Sequence, residues 1–176
     1  MRIAYKFLRY AVYILEVYFL YSLQQTPNFS FSIFGVRPLC LIAGFVSIIF
    51  YENRFVSLGF GIWIGLLIDL AMGNILGCHA LILGFLGYLI NIVFERFIRA
   101  NLMSAIFISG FLAFIVTFIN SFMCQALYGS VNTSNILIHN YIPIVIYTAI
   151  ITLPKYLFNR TVFYLTGEFK NEIFKR

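Results

Sequence analysis

The chain has 176 residues, of which 62% are hydrophobic and only 10% are charged, and its formal net charge is +6. A soluble domain carries about a quarter charged residues. This composition therefore excludes a water-facing globular fold and predicts a single all-α integral membrane domain over residues 1–176. The positive charge does not indicate nucleic-acid binding, because the basic residues cluster at the chain ends and in two short gaps, where membrane topology uses them.

Six segments are predicted as membrane-spanning helices. A spanning helix needs about 20 residues, with a range of roughly 17 to 25. The predicted spans cover residues 8–23, 38–51, 55–72, 79–94, 102–127 and 137–158. The first has a basic start like a signal peptide, but no small-residue cleavage site follows, so we predict that it is retained. The second reaches spanning length only if Arg37 and Arg54 extend to opposite surfaces.

The distribution of basic residues predicts the orientation. With six spans, both termini are cytoplasmic and only Arg37 lies outside. The eleven inner basic residues are Arg2, Lys6, Arg9, Arg54, Arg96, Arg99, Lys155, Arg160, Lys170, Lys175 and Arg176. Without the second span, nine basic residues would face outward, contrary to the positive-inside rule. The basic tail 159–176 is predicted either as an amphipathic segment on the cytoplasmic leaflet or as a frayed end.

Two acidic residues fall inside predicted spans, and such residues are costly in lipid and often functional. Glu16 lies near the middle of the first span and has no obvious partner in the sequence. Amide side chains in other spans could bond it (Asn91, Asn120 and Gln125), or its carboxyl could be protonated. Asp69 lies near the outer end of the third span and is the stronger candidate for a functional role.

Glycines surround Asp69. Gly61 and Gly65 form a G-x-x-x-G pair of the kind that lets helix backbones approach closely in lipid, and Gly59 and Gly73 are predicted to extend this surface. Gly65 and Asp69 are four residues apart and share a helix face. Asp69 is therefore predicted to point toward a protein neighbour or a wet crevice.

Two partners are predicted for Asp69. Arg37, at the outer mouth of the second span, would lie at a similar depth and could form a bidentate pair. His79, which opens the fourth span, is the second candidate, and Gly73 and Gly77 would let the chain reverse between the two spans. The contact is predicted either to fix helix packing or to form a docking or binding site.

Enzyme chemistry is not indicated. The sequence has no G-x-S-x-G, no H-E-x-x-H and no P-loop. Cys40, Cys78 and Cys124 lack metal-ligand spacing and are predicted as small buried residues, with a disulfide between two of them left open. His139 is predicted at the membrane interface. We predict no catalytic residue, no metal and no cofactor.

The stretch "GFGIWIGLLIDLAMGNILGCHALILGFLGYLI", residues 59–90, resembles the rod shape-determining protein MreD family. Its pattern combines fixed glycine and aspartate spacing across two spans. The positions that fit are Arg37, Pro38, Gly61, Gly65, Asp69, Gly73, Gly77, Ala80, Tyr88 and Leu89. Shorter likenesses are "LQ" at the end of the first span and "LPKYLFNR" near the end of the sixth, whereas Glu16 is unlike the family's usual first span.

The resemblance implies a non-enzymatic subunit of the bacterial cell-elongation machinery in the inner membrane. Such a protein binds its membrane partner MreC. Through MreC it helps connect MreB filaments to the peptidoglycan synthases RodA and a penicillin-binding transpeptidase. The site residues would then be partner-binding or helix-packing positions: Arg37, Pro38, Gly61, Gly65, Asp69, Gly73, Gly77 and His79.

The alternative is a substrate-binding subunit of an energy-coupling-factor-type vitamin transporter, whose fold is similar. It would place Arg37, Asp69 and His79 around a small-molecule pocket. Those subunits dock through a small-x-x-x-small pattern in the first span. Here Ala4 and Ala11 are seven residues apart with bulky aromatics between them, which favours the cell-shape protein.

Overall fold

The computed structural model describes the backbone of residues 2–26, 38–73, 75–96, 101–128 and 133–165. Over these residues the chain is all helical and contains no strand, which confirms the predicted class. The helices are α1 (Arg2–Gln25), α2 (Cys40–Tyr51), α3 (Arg54–Met72), α4 (Cys78–Arg96), α5 (Leu102–Tyr128) and α6 (Thr133–Leu165).

Three helices of the described chain are long and apolar enough to cross a membrane. These segments are Arg54–Met72, Leu102–Phe122 and Ile142–Tyr164. Two further apolar helices, Cys40–Tyr51 and Cys78–Phe94, are shorter. The composition and these helices describe a membrane protein, whereas the six-span count and the cytoplasmic termini stay predictions.

The short helix α2 is the centre of the bundle. It packs against each of the other five helices, and nine consecutive residues of it are buried. Twelve residues extend about 18 Å, well short of the roughly 30 Å hydrocarbon core. Side chains of other helices bond its ends: Leu39 N donates to Thr148 Oγ1 at 3.2 Å, and Asn91 Nδ2 donates to the Glu52 carbonyl at 2.8 Å. Protein rather than lipid therefore surrounds the backbone where the helix stops.

The buried faces of α1 and α6 combine polar with apolar residues, whereas their outer faces are mainly apolar. The buried face of α1 carries Arg9, Tyr13, Glu16, Val17 and Leu20. The buried face of α6 carries Thr148, Thr152, Tyr156, Asn159 and Phe163. Both sets recur every three or four residues, which is the period of one helix face. Large apolar side chains such as Phe7, Leu15, Ile146 and Ile150 lie exposed on the opposite faces, as expected when lipid is the solvent.

Helix α6 continues beyond residue 158, where the sequence predicted the start of a tail. It runs to Leu165 and buries Asn159 and Phe163 in the bundle. The first residues of the predicted tail therefore belong to the packed helix and are not frayed, whereas the position of the tail on the cytoplasmic leaflet stays a prediction. Residues 166–176 lie outside the described part of the chain.

Candidate functional site

The α3–α4 hairpin is held by direct contact between two helix backbones. A Cβ on Gly65 would lie 2.5 Å from the backbone nitrogen of Ala80, and one on Gly61 would lie 2.7 Å from the carbonyl oxygen of Leu83. Real Cβ atoms do not approach backbone atoms so closely. Glycine at both positions thus sets the distance between α3 and α4, in the way that small residues do between helices in lipid.

The other two glycines predicted for this surface do not take part in it. Gly59 is exposed and a Cβ there would meet nothing within 4 Å, because two residues from Gly61 a helix has turned to another side. A Cβ on Gly73 would likewise meet no atom. Gly73 instead ends α3 with φ of 66°, and Gly77 has φ of 99° in the turn. Both angles are in the left-handed region, which glycine adopts without steric cost.

Asp69 is fully buried and its carboxylate spans the turn. Oδ2 accepts a hydrogen bond from Gly77 N at 2.8 Å. Oδ1 accepts one from His79 N at 3.2 Å and lies 2.6 Å from His79 Nδ1. The carboxylate of α3 therefore caps the first turn of α4, where backbone N–H groups lack helical partners and negative charge is favourable.

His79 is the second of the two partners that the sequence predicts for Asp69. Because a carboxylate can only accept, Nδ1 is the donor in its contact with Asp69 Oδ1. Nε2 is buried and has no hydrogen-bond partner. Arg37, the first candidate, lies outside the described residues. Pro38 is buried immediately before α2.

The tip of the hairpin presents apolar side chains. Ile75 and Leu76 are 57% and 63% exposed, just beyond the buried Asp69. The candidate residues Gly61, Gly65, Asp69 and His79 thus face the contact between α3 and α4. The exposed surface at this end is formed by Ile75 and Leu76, which the sequence did not single out.

At the opposite end of the bundle, where α2 turns into α3, lies a buried ion pair that the sequence analysis missed. Arg9 Nε lies 2.7 Å from Glu52 Oε1, and Arg9 Nη2 donates to Glu52 Oε2 at 3.2 Å. The Arg9 guanidinium also lies over the ring of Phe163, 5.0 Å from its centroid. One side chain of α1 therefore contacts both the α2–α3 turn and α6.

Asn91 of α4 joins this end to the hairpin's second helix. Its Nδ2 lies within 3.1 Å of the carbonyl oxygens of Ile49 and Glu52 and of Ser57 Oγ. Asn91 was considered as a partner for Glu16, but here it bonds the α2–α3 turn.

Glu16 is paired with a base, Lys155, and its carboxylate also accepts a hydrogen bond from the Asn159 amide. Lys155 Nζ donates to Glu16 Oε1 at 3.0 Å. Lys155 had been assigned to the cytoplasmic surface because the sixth span was predicted to end at residue 158. Since α6 extends to Leu165, Lys155 lies about 15 Å from the helix end, where a carboxylate can neutralise it. The only clue in the sequence was an unpaired acid in one apolar helix and a base in another.

A family model, rod shape-determining protein MreD, matches residues 1–164. The chain belongs to the MreD family. The suspected resemblance is thereby confirmed, and it extends far beyond the hairpin that suggested it. No curated protein and no solved structure matches the chain.

The family match covers both ends of the bundle. The matched residues include the Asp69–His79 hairpin and the Arg9–Glu52 and Glu16–Lys155 pairs, and they stop within one residue of the end of α6. The family is one of membrane proteins that determine rod shape and is not a known family of enzymes. Cys40 and Cys78 are free thiols, and Cys124 lies outside the described side chains. Within the described residues, no group of His, Cys, Asp and Glu could hold a metal ion.

Proposed function

We propose that this chain is a non-enzymatic, multi-pass subunit of the cell-elongation machinery in a bacterial inner membrane. It binds an MreC-like membrane protein. Through that partner it helps couple MreB filaments to RodA and a penicillin-binding transpeptidase, and so maintains rod shape. The observation that carries the proposal is the MreD family match over residues 1–164.

The α3–α4 hairpin is the proposed contact for the MreC-like protein. Gly61, Gly65 and the buried Asp69–His79 contact make the hairpin rigid, and the exposed Ile75 and Leu76 give its tip an apolar surface. A rigid element that presents apolar side chains loses little conformational entropy on binding. In this account Asp69 acts by shaping the surface and does not touch the partner.

The transporter alternative would need Asp69 and His79 to face a ligand pocket. Both are fully buried, and the Asp69 carboxylate bonds the backbone of Gly77 and His79 and the His79 ring at Nδ1. Together with the family match, this favours the cell-shape function.

Depletion of the protein in its source bacterium tests the function. We expect rods to become spheres under the microscope, and expression of the intact chain should restore them. Unchanged rods that require an added vitamin would support the transporter instead.

Photo-crosslinking tests the contact surface. A photoreactive amino acid at Leu76 should crosslink to the MreC-like protein in growing cells. The same group at Phe107 of α5 is the matched control, because Phe107 is at least as exposed (77%) but lies on another helix. Equal crosslinking from both positions, or crosslinking from Phe107 alone, would exclude the hairpin as the specific contact.

Reporter fusions test the orientation. A reporter active only in the periplasm should be silent after Arg176 and active at Asn132. An active fusion at Arg176 would overturn the six-span topology while leaving the cell-shape function intact.

A further inference from the structure

Helices α1 and α6 are joined by side chains across a gap. Over their described residues, the two backbones hardly approach each other. Two bridges cross the gap instead: the Arg9 guanidinium against the ring of Phe163 and the Glu16–Lys155 pair. We call this region the α1–α6 seam, and its four bridging residues are Arg9, Glu16, Lys155 and Phe163.

The bridges define which residues face each other between them. The helices are antiparallel in this contact, since the earlier residue of α1 meets the later residue of α6. Tyr13 is four residues after Arg9, and Asn159 is four residues before Phe163. Tyr13 and Asn159 therefore lie at the same level of the seam, between its two bridges.

Both residues are fully buried, and each has a polar atom without a hydrogen-bond partner. These atoms are Tyr13 Oη and the amide oxygen of Asn159, Oδ1. The amide nitrogen of Asn159 donates to the Glu16 carboxylate, and Tyr13 is within electrostatic reach of Arg9, Glu16 and Glu52. A buried donor or acceptor without a partner is destabilising, so two such atoms at one level of the seam favour a polar molecule between them.

The charges around the seam decide the chemistry of that partner. Arg9 and Lys155 neutralise Glu52 and Glu16, and Arg160, the next residue after Asn159, is exposed on the outside of the helix. A further cation or anion would leave a net charge in a buried site, which is strongly unfavourable. A neutral molecule that both donates and accepts hydrogen bonds fits Tyr13 Oη, which can donate or accept, and Asn159 Oδ1, which accepts.

We propose that the α1–α6 seam holds ordered water that bonds Tyr13 and Asn159 between the two ion pairs. Buried water typically makes two to four hydrogen bonds, about three on average, to otherwise unsatisfied polar groups. The inference concerns a hydration site within the bundle and stands independently of the proposed partner.

Radiolytic labelling with hydroxyl radicals in ¹⁸O-water tests the proposal on the intact chain in lipid nanodiscs. Radicals formed from trapped water should label Tyr13 several times faster than Phe45, an aromatic residue of the apolar core that is equally buried. Labelling of Tyr13 at the rate of Phe45 would overturn the proposal.

Thermal unfolding gives a second test whose sign differs between a wet and a dry seam. If water is present, Tyr13→Phe removes one of its partners and lowers Tm by about 2–4 °C. If the seam is dry, Tyr13→Phe removes an unmet hydroxyl, and Tm rises or stays constant. Tyr18→Phe, at an exposed tyrosine of the same helix, should leave Tm unchanged. Stabilisation by sodium but not by choline would overturn the proposal in favour of a bound cation.

Discussion

The two ends of the bundle achieve a buried polar contact in different ways. At the α3–α4 end, Asp69 and His79 are ten residues apart, and glycines bring their helices together within one hairpin. At the α2–α3 end, Arg9 meets Glu52 across 43 residues, and Asn91 reaches the same turn from α4. The Glu16–Lys155 pair, deeper in the bundle, spans 139 residues.

A buried polar contact can therefore form within one hairpin, as a local site, or between helices that are distant in the sequence, as an assembled site. A local site depends on the spacing of a few residues, so it tolerates little change at its glycines. An assembled site depends on the rotation and depth of several helices, and charge pairing holds those helices together. Substitutions at the two kinds of site are expected to differ in the size of their effect.

The largest loss is expected from breaking the Arg9–Glu52 pair. Arg9→Leu alone, or Glu52→Leu alone, should lower the free energy of unfolding by about 3–5 kcal/mol, because the remaining charge is buried without a partner. The double variant should recover most of this loss. Unfolding in detergent and the protein level in the membrane measure both effects. Arg160→Gln, at an exposed arginine, is the control, and simple addition of the two single losses would show that the charges do not pair.

The next effect is expected at the glycine contact. Gly65→Leu should destabilise the hairpin by about 3 kcal/mol, because overpacking against the backbone of Ala80 forces α3 and α4 apart. It should also reduce co-purification with the MreC-like protein. Gly59→Leu on the same helix should change neither quantity, since a side chain there meets open space, and Leu67→Ile should be tolerated. Equal losses at Gly59 and Gly65 would remove the basis for a local site.

Asp69→Asn should cost about 2 kcal/mol, as expected when hydrogen bonds to a charged acceptor are weakened. The same background tests the predicted Arg37 pair. Coupling above about 0.5 kcal/mol between Arg37→Gln and Asp69→Asn would show that the site extends beyond the hairpin. Additive effects would confine the contact to Gly77 and His79.

The smallest effect is expected at the start of α2. Thr148→Val removes the acceptor for Leu39 N and should cost about 1 kcal/mol. Thr161→Val is the matched control, because this exposed threonine bonds only its own helix. A loss at Thr148 no larger than at Thr161 would mean that α6 does not hold the end of α2.

The hairpin was largely predictable from the sequence. Gly61, Gly65 and Asp69 lie on one face of a single helix, and the turn that follows is short, so few arrangements are possible. The assignment of Gly59 to that face was wrong. The helical position of a residue decides which face it lies on, and Gly59 is only two residues from Gly61. The exposed Ile75 and Leu76 were passed over because an apolar turn looks like the continuation of two apolar spans.

The α2–α3 end was not predictable in this way. Glu52 lies in a short gap where a charged residue is ordinary, and Arg9 and Lys155 were explained by their contribution to topology. Pairing them requires the length of α6 and the central place of α2. Neither follows from hydropathy, because an apolar segment of given length does not reveal which helix lies beside it.

The sequence by itself determined that the chain is a helical membrane protein and that it belongs to the MreD family. Composition, glycine spacing and the position of Asp69 are short-range features that can be read without knowing how the helices pack. Tertiary structure alone decided that His79 contacts Asp69 and that protein surrounds α2. It also decided that Glu16 and Glu52 pair with basic residues of distant helices. The physical reason is that an ion in a low-dielectric bundle is stable only beside its counter-ion, and which counter-ion is near depends on how six helices pack.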